Sequence, residues 1–286
     1  MKLVARGRTV LFPRRPLIMG ILNLNDDSFS GDGTLNAELA LTRMKKMIAD
    51  GADIIDLGGE SARTNRSAIA VAEEISRVAP VVEKFSRVAA ESQPRDDVQL
   101  FPPLLSINTW RPHVARELLL IGGDILNDMG ALPTWENAEI AGIHGAALVI
   151  MHSVGEPKVA HTHVGYDDIV GTQLSFFRDK IAGALATGLS KAQIILDPGI
   201  DFAKQREDNL KIYREFQQIA DLGFATLLPV SRKTVIGDVL GVPPADRDAG
   251  TVACIVAGAQ RGATIFRVHH VAAAWATLKT LEALRD

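Results

Sequence analysis

Asn23, Asp56, Asn108, Asn127 with Asp128, His152, Asp197, the triplet Ser231-Arg232-Lys233, and Arg267 with His269 each follow or close a short apolar run. In a barrel of alternating strands and helices, side chains at the C-terminal ends of strands face the active site. Polar groups at eight such ends, converging on one rim, form the layout of a catalytic face. Capping of the next helix is an adequate alternative for Asn127, Asp128 or Asp197 taken singly. It does not account for Lys233, Arg267 and His269. Two cations and a histidine above the last two strands suit an anionic substrate group, and phosphate sites often occupy that sector of barrels. The best-defined end closes Leu17–Leu22, an unbroken apolar run expected of a parallel strand covered on both faces. It stops at Asn23, and a polar loop follows in which Gly31 and Gly33 supply bends and Phe29 is the bulky apolar group.

The spacing of apolar residues predicts the elements that must hold these groups. Strands are expected at Leu17–Leu22, Asp53–Leu57, Leu104–Ile107, Asp124–Asn127, Ala147–Met151, Gln193–Leu196, Ala225–Leu228 and Thr264–Arg267. Between and after them lie helical segments at Ala37–Asp50, Val71–Ala90, Val114–Ile121, Asp167–Ala186, Asp208–Leu222, Val235–Leu240 with Gly250–Ala259, and Ala272–Leu284. Residues 1–12 read as a hairpin that plugs one end of the barrel, and 91–103 as a surface insertion. Eight strand-helix units without a tandem repeat argue for an α/β fold, a single (β/α)8 TIM barrel spanning 1–286 with a short N-terminal β-hairpin. A doubly wound open sheet is the alternative, but no GxGxxG turn follows the first strand.

At 286 residues, 47% hydrophobic and 23% charged, the chain suffices for one barrel of roughly 250 residues. A net charge of −3 gives no general attraction to nucleic acid or anionic membranes, so any polyanion site must be local. The one cysteine, Cys254, excludes an intrachain disulfide and reads as a buried inert thiol in a reducing compartment. With no signal segment or bilayer-length apolar stretch, a cytoplasmic protein is expected.

The stretches IMGILNLNDDSFSGDG, GADIIDLGGESAR, SINTWRPHVA, ILNDMGAL, LVIMHSVGEPK, IILDPGIDFAK, VSRKTVIGDVLG and IFRVHHV together resemble the dihydropteroate synthases, over nearly the whole chain after the hairpin. The resemblance implies a transferase of folate biosynthesis. It joins p-aminobenzoate to 7,8-dihydropterin-6-ylmethyl diphosphate and releases pyrophosphate, with Mg²⁺ as cofactor and a homodimer as the usual assembly. It places the pterin among Asn108, Asn127, Met151, Asp197, Phe202, Lys233 and Arg267. Arg63, Arg267 and His269 hold the diphosphate, and Asn23 meets it through the metal. Phe29, Arg63 and Ser231 take p-aminobenzoate, the carboxylate lying at a helix N-terminus beside Ser231. Asn23, Asn108, Lys233, Arg267 and His269 carry the chemistry, an SN1-like substitution in which no side chain acts as nucleophile.

The sequence departs from the family pattern in places. Asn108 stands where an aspartate is usual, which keeps hydrogen bonding and loses a negative charge. Ala62 replaces a threonine, Thr64-Asn65-Arg66 replaces a Pro-Gly turn, and Asn25-Asp26 replaces Thr-Pro. Asp201 and Pro229 stand where glycines are common. These changes suggest altered discrimination between p-aminobenzoate and sulfonamides, or, with Asn108, a catalytically silent pterin-binding paralogue. A folate-dependent methyltransferase on a similar barrel is disfavoured by the Ser231-Arg232-Lys233 segment. His161 and His163 have the spacing of a metal pair but read as a solvent-facing loop, and His152 is not expected to be catalytic.

Overall fold

The structure, a computed structural model, describes residues 1–25, 33–61, 67–159, 161 and 164–284. A hairpin of β1 (Lys2–Ala5) and β2 (Arg8–Leu11) precedes the barrel. β3 (Leu17–Asn23), α1 (Ala37–Ala49), β4 (Ile54–Gly58), α2 (Val71–Ala90), β5 (Leu104–Asn108) and α3 (Pro112–Ile121) follow. Next come β6 (Ile125–Asp128), α4 (Glu136–Ile143), β7 (Ala147–Met151), α5 (Ile169–Ala186) and β8 (Ile194–Asp197). The chain ends with α6 (Arg206–Glu215), α7 (Gln217–Ala220), β9 (Ala225–Pro229), α8 (Thr234–Leu240), α9 (Asp248–Gln260), β10 (Ile265–Val268) and α10 (Val271–Ala283). Strands β3 to β10 are parallel and close a barrel through β10–β3 pairing, Ile265 opposite Leu17.

Each strand was expected within a residue of where it lies. Asp53 is not the first residue of β4 but sits below it. Its carboxylate accepts hydrogen bonds from the amides of Ile18 (2.8 Å) and Leu100 (2.7 Å) and pairs with buried Arg15 at 3.1 Å. The segment expected as one helix at 208–222 divides into α6 and α7. Helix α4 was not anticipated: it has eight residues and no apolar stripe on one face, so periodicity could not reveal it. Cys254 lies half-buried on α9, and burial pushes its thiol pKa up.

Side chains of a strand alternate in direction, and that alternation divides the barrel into two cores. Ile18, Leu22, Ile55, Leu57, Ile107, Leu126, Leu148, Leu196 and Phe266 face outward to the helices. Leu17, Met19, Ile54, Leu104, Ile125, Val149, Ile195, Leu227 and Ile265 fill the interior together with Leu3, Ala5 and Val10 of the hairpin. The hairpin therefore plugs the N-terminal mouth, as its sequence suggested. The Arg6 guanidinium fastens it, donating to the carbonyls of Leu119 (3.0 Å) and Gly123 (2.8 Å). Residues 91–103 are a tethered surface segment in which the Gln99 side-chain amide donates to the Ile48 and Ala52 carbonyls.

Candidate active site

Following the inward positions up each strand, the apolar plug gives way to polar groups within one or two residues. Met19 is succeeded by Ile21 and Asn23, Ile54 by Asp56, Leu104 by Ser106 and Asn108, Ile125 by Asn127. Val149 gives way to Met151, Ile195 to Asp197, Leu227 to Pro229 and Ser231, and Ile265 to Arg267 and His269. The period of two thus places Asn23, Asn108, Asn127, Met151, Asp197 and Arg267 around one cavity of about 560 Å³ at the C-terminal mouth, and Ser231, Lys233 and His269, from the loops after β9 and β10, line it too. Phe202, from the loop after β8, joins them. Phe29 and Arg63 lie outside the described residues.

Asp56 is the centre of the polar layer. It is fully buried, and one carboxylate oxygen accepts from the Ser106 hydroxyl at 2.6 Å and the Asn127 amide at 3.2 Å. The other accepts from the Asn108 amide (3.2 Å) and from Nε of Arg267 (2.7 Å). Arg267, on β10, is thereby held in place by a charge-assisted bond to β4, two strands round the barrel. An aspartate at 108 would set a second anion against Asp56; Asn108 supplies a donor instead. Its Oδ1 is buried without a hydrogen-bond partner, on the cavity wall.

On the opposite side Asp197 is buried, and burial pushes its pKa up to about 6 against the pull of the Gly199 amide and of Lys233, Lys204 and Arg267. Lys233 donates to the Ile200 carbonyl at 2.8 Å and lies 5.1 Å from the centre of the Phe202 ring. Burial lowers its pKa, opposed by Asp201 and Asp197. Lys204 donates to the carbonyls of His152 (3.1 Å) and Phe202 (2.8 Å), and burial brings its pKa down to about 7. The cavity therefore offers a carboxylate between ammonium groups beside an aromatic wall. Such a set can grip a flat heterocycle that presents both donors and acceptors.

Two strand-end residues leave the cup because they are one position out of phase. Asp128 points outward, accepting from the Gly130 amide and the Asn137 side chain, so for it the capping alternative holds. His152 packs between Tyr166 and Phe176, with burial taking its pKa down to about 3. Arg232 pairs with Asp248 at 2.7 Å. Ser231 is not at a helix N-terminus: α8 starts at Thr234, and the Asp201 carboxylate takes the Thr234 and Val235 amides. Asp201 has φ of 69°, a conformation that favours glycine. The Ser231 hydroxyl instead meets the His269 amide (3.1 Å) and Nδ1 (2.8 Å). His161, expected in solvent, lines the cavity; His163 lies outside the described residues.

Sequence reasoning named Asp56 without seeing that it organises the site, and it missed Lys204 and Glu60. Glu60 shares the parity of Asp56 two residues past β4, which was an available signal; Lys204, seven residues past β8 and out of phase with Asp197, offered none.

The chain matches the family model described as "Pterin binding enzyme" over residues 19–269. It is 36% identical over 286 residues to the dihydropteroate synthase of Escherichia coli (strain K12), covering 100% of this chain and 95% of that one. The Yersinia pestis dihydropteroate synthase, solved as a sulfonamide drug complex, superposes with a TM-score of 0.88 at 35% identity, covering 100% of this chain and 99% of that one. The Xanthomonas albilineans enzyme in complex with 7,8-dihydropteroate superposes with a TM-score of 0.81 at 31% identity, covering 99% and 98%.

Proposed function

The chain belongs to the pterin binding enzymes and, among them, to the dihydropteroate synthases; from that premise we infer that it joins 7,8-dihydropterin-6-ylmethyl diphosphate to p-aminobenzoate, giving 7,8-dihydropteroate and pyrophosphate. The observation that carries this reading is one cavity with Asp197 and Lys233 in its depth and Asn23, Arg267 and His269 at its rim. Asp197, ionised, accepts hydrogen bonds from the amidine-like edge of the pterin, and Asn108 and Asn127 complete its mixed donor and acceptor pattern. Met151 and Phe202 form apolar walls, and Lys233 donates to the ring. The methylene–oxygen bond breaks with its electron pair leaving on pyrophosphate, whose growing charge Arg267 and His269 stabilise. The arylamine nitrogen then bonds to the methylene and loses a proton to solvent. Ser231 with Phe29 and Arg63 receives p-aminobenzoate.

Among the described residues no group of three or more His, Cys, Asp and Glu side chains could cage a metal ion. Mg²⁺ does not need one, because it is commonly held by one or two side chains, water and substrate phosphate oxygens. Asn23 lines the cavity with Arg267 and His269 and carries an amide oxygen, a hard ligand of the kind Mg²⁺ takes. Asn23 would hold the ion, which when bound supplies Lewis-acid stabilisation of the leaving diphosphate.

Incubation with Mg²⁺, the pterin diphosphate and p-aminobenzoate is expected to yield equal amounts of pyrophosphate and dihydropteroate. Pterin binding without turnover would instead establish a silent paralogue, the reading that Asn108 favours. The retained diphosphate set of Asn23, Arg267 and His269 supports the enzyme. Ala62 and Thr64–Arg66 further support an altered balance between p-aminobenzoate and sulfonamides; inhibition equal to that of a typical synthase would refute it. Among the described residues no helix is long and apolar enough to cross a membrane, and we propose a cytoplasmic homodimer, acting as one barrel domain, that light scattering would test.

A further inference from the structure

The segment Ser153–Val159 after β7 does not turn straight back to its helix. Gly155 and Lys158 adopt φ of 78° and 65°, and together these two left-handed turns send the chain across the mouth of the barrel. Gly155, Pro157, Lys158 and Val159 all line the cavity. Pro157 crosses the loops that follow β6 and β5: a Cβ added to Gly130 would lie 3.6 Å from the Pro157 ring and 2.9 Å from Cβ of Trp110. The crossing ends on the residues that follow β4, three strands away around the barrel, where Lys158 Nζ lies 3.1 Å from Glu60 Oε1 and 3.1 Å from the Ser61 carbonyl.

That anchorage is built. The Glu60 and Lys158 side chains are 2% and 9% exposed. The second Glu60 oxygen pairs with Arg111 at 2.6 Å, and Arg111 also pairs with Glu74 at 3.2 Å. The Ile69 amide donates to Glu60 Oε1 at 3.1 Å. The Lys158 charge is thus matched by an anion of the protein and is not offered to a phosphate. A non-glycine residue held in the left-handed region resists its own backbone preference, so the ion pair works against a tendency of the segment to spring away.

We propose that Lys158 is a positioning residue: its pairing with Glu60 latches Ser153–Val159 as a fixed strap over the β5 and β6 ends, so that the strap retains a heterocycle in the cavity from the side of Asn108 and Asn127. The ordering of ligand follows from the geometry. The strap covers the side on which Asn108 and Asn127 present their amides, and among the described residues its anchor and crossing contacts lie on the loops after β4, β5 and β6. A substituent on the bound ring is thereby directed away from that side, toward Ser231, Arg267, His269 and Asn23. This rests on the functional reading above for the identity of the heterocycle.

The test compares Lys158→Met, Lys158→Arg and Glu60→Gln with the parent protein. Amide hydrogen exchange of residues 155–159 in the unliganded protein reads the latch, and the dissociation rate of a 7,8-dihydropterin reads its effect. Lys158→Met and Glu60→Gln are each expected to speed exchange in the strap by at least about tenfold while leaving the amides of β3 to β10 unchanged. They should also speed dihydropterin release by about fivefold or more, with the KM for p-aminobenzoate moved less, and Lys158→Arg should restore both. Unchanged exchange in the strap overturns the latch. Faster exchange with unchanged dihydropterin release overturns its role in guarding the heterocycle. If the parent protein binds no dihydropterin, the functional reading fails, and the exchange measurement still decides whether the latch exists.

Discussion

Replacing Asp56 by asparagine keeps the shape of the side chain and removes both its charge and one of its acceptors. Four donors converge on this buried carboxylate: the Ser106 hydroxyl, the Asn108 and Asn127 amides, and Arg267 Nε. A single amide oxygen can keep one side of that set, and the new NH₂ group then faces the donors of the other. Losing the charge-assisted bond to Arg267 costs about 1.5–3 kcal/mol, and the stranded buried donors about 1–3 kcal/mol more. The Arg267 side chain is 19% exposed, so water recovers part of its loss. Together these give about 3 kcal/mol. At about 2 °C per kcal/mol for a chain of this size, Asp56→Asn should melt about 6 °C lower. If Arg267 swings from its aim by the same free energy, kcat/KM for the pterin diphosphate should fall by about 100-fold. Ser106→Ala, which strands no charge, should cost only about 1 kcal/mol. Differential scanning calorimetry and a pyrophosphate-release assay read the two effects. An Asp56→Asn protein with the parent melting temperature and kcat/KM would show that the carboxylate organises neither the wall nor the arginine.

Lys233→Ala should abolish measurable pterin binding by calorimetric titration, and retained affinity would remove Lys233 from the site. For Asp197, raised to about 6 by burial, pterin affinity should be flat above about pH 6 and fall by up to about tenfold per pH unit below it, a slope that Asp197→Asn should flatten. The same raised pKa favours the folded, unliganded protein below about pH 4, a contribution lost as pH rises through about 6. Leu3→Ala opens a hole in the plug at the opposite mouth and should cost about 3 kcal/mol in denaturant unfolding with kcat unchanged; a parallel loss of kcat would mean the plug shapes the site.

The strands were legible because each is an apolar run bounded by polar residues, and a run covered on both faces does not depend on its partners for its pattern. The eight family-like stretches were legible in the same way, as local words in order. Helix α4 was not, since its short surface carries no stripe, and neither was the split between α6 and α7.

What the amino-acid sequence determined alone was therefore the alternation of elements, the barrel, and which polar residues end its strands. What only the tertiary structure decided was which of those residues look inward. Asp128 and His152 differ from Asn127 and Met151 by one position, and a one-residue step in a strand turns a side chain through the wall. Likewise, Asp56 meets Arg267 across 211 residues of sequence and Lys158 meets Glu60 across the mouth, because barrel closure brings together strand ends that no local pattern relates.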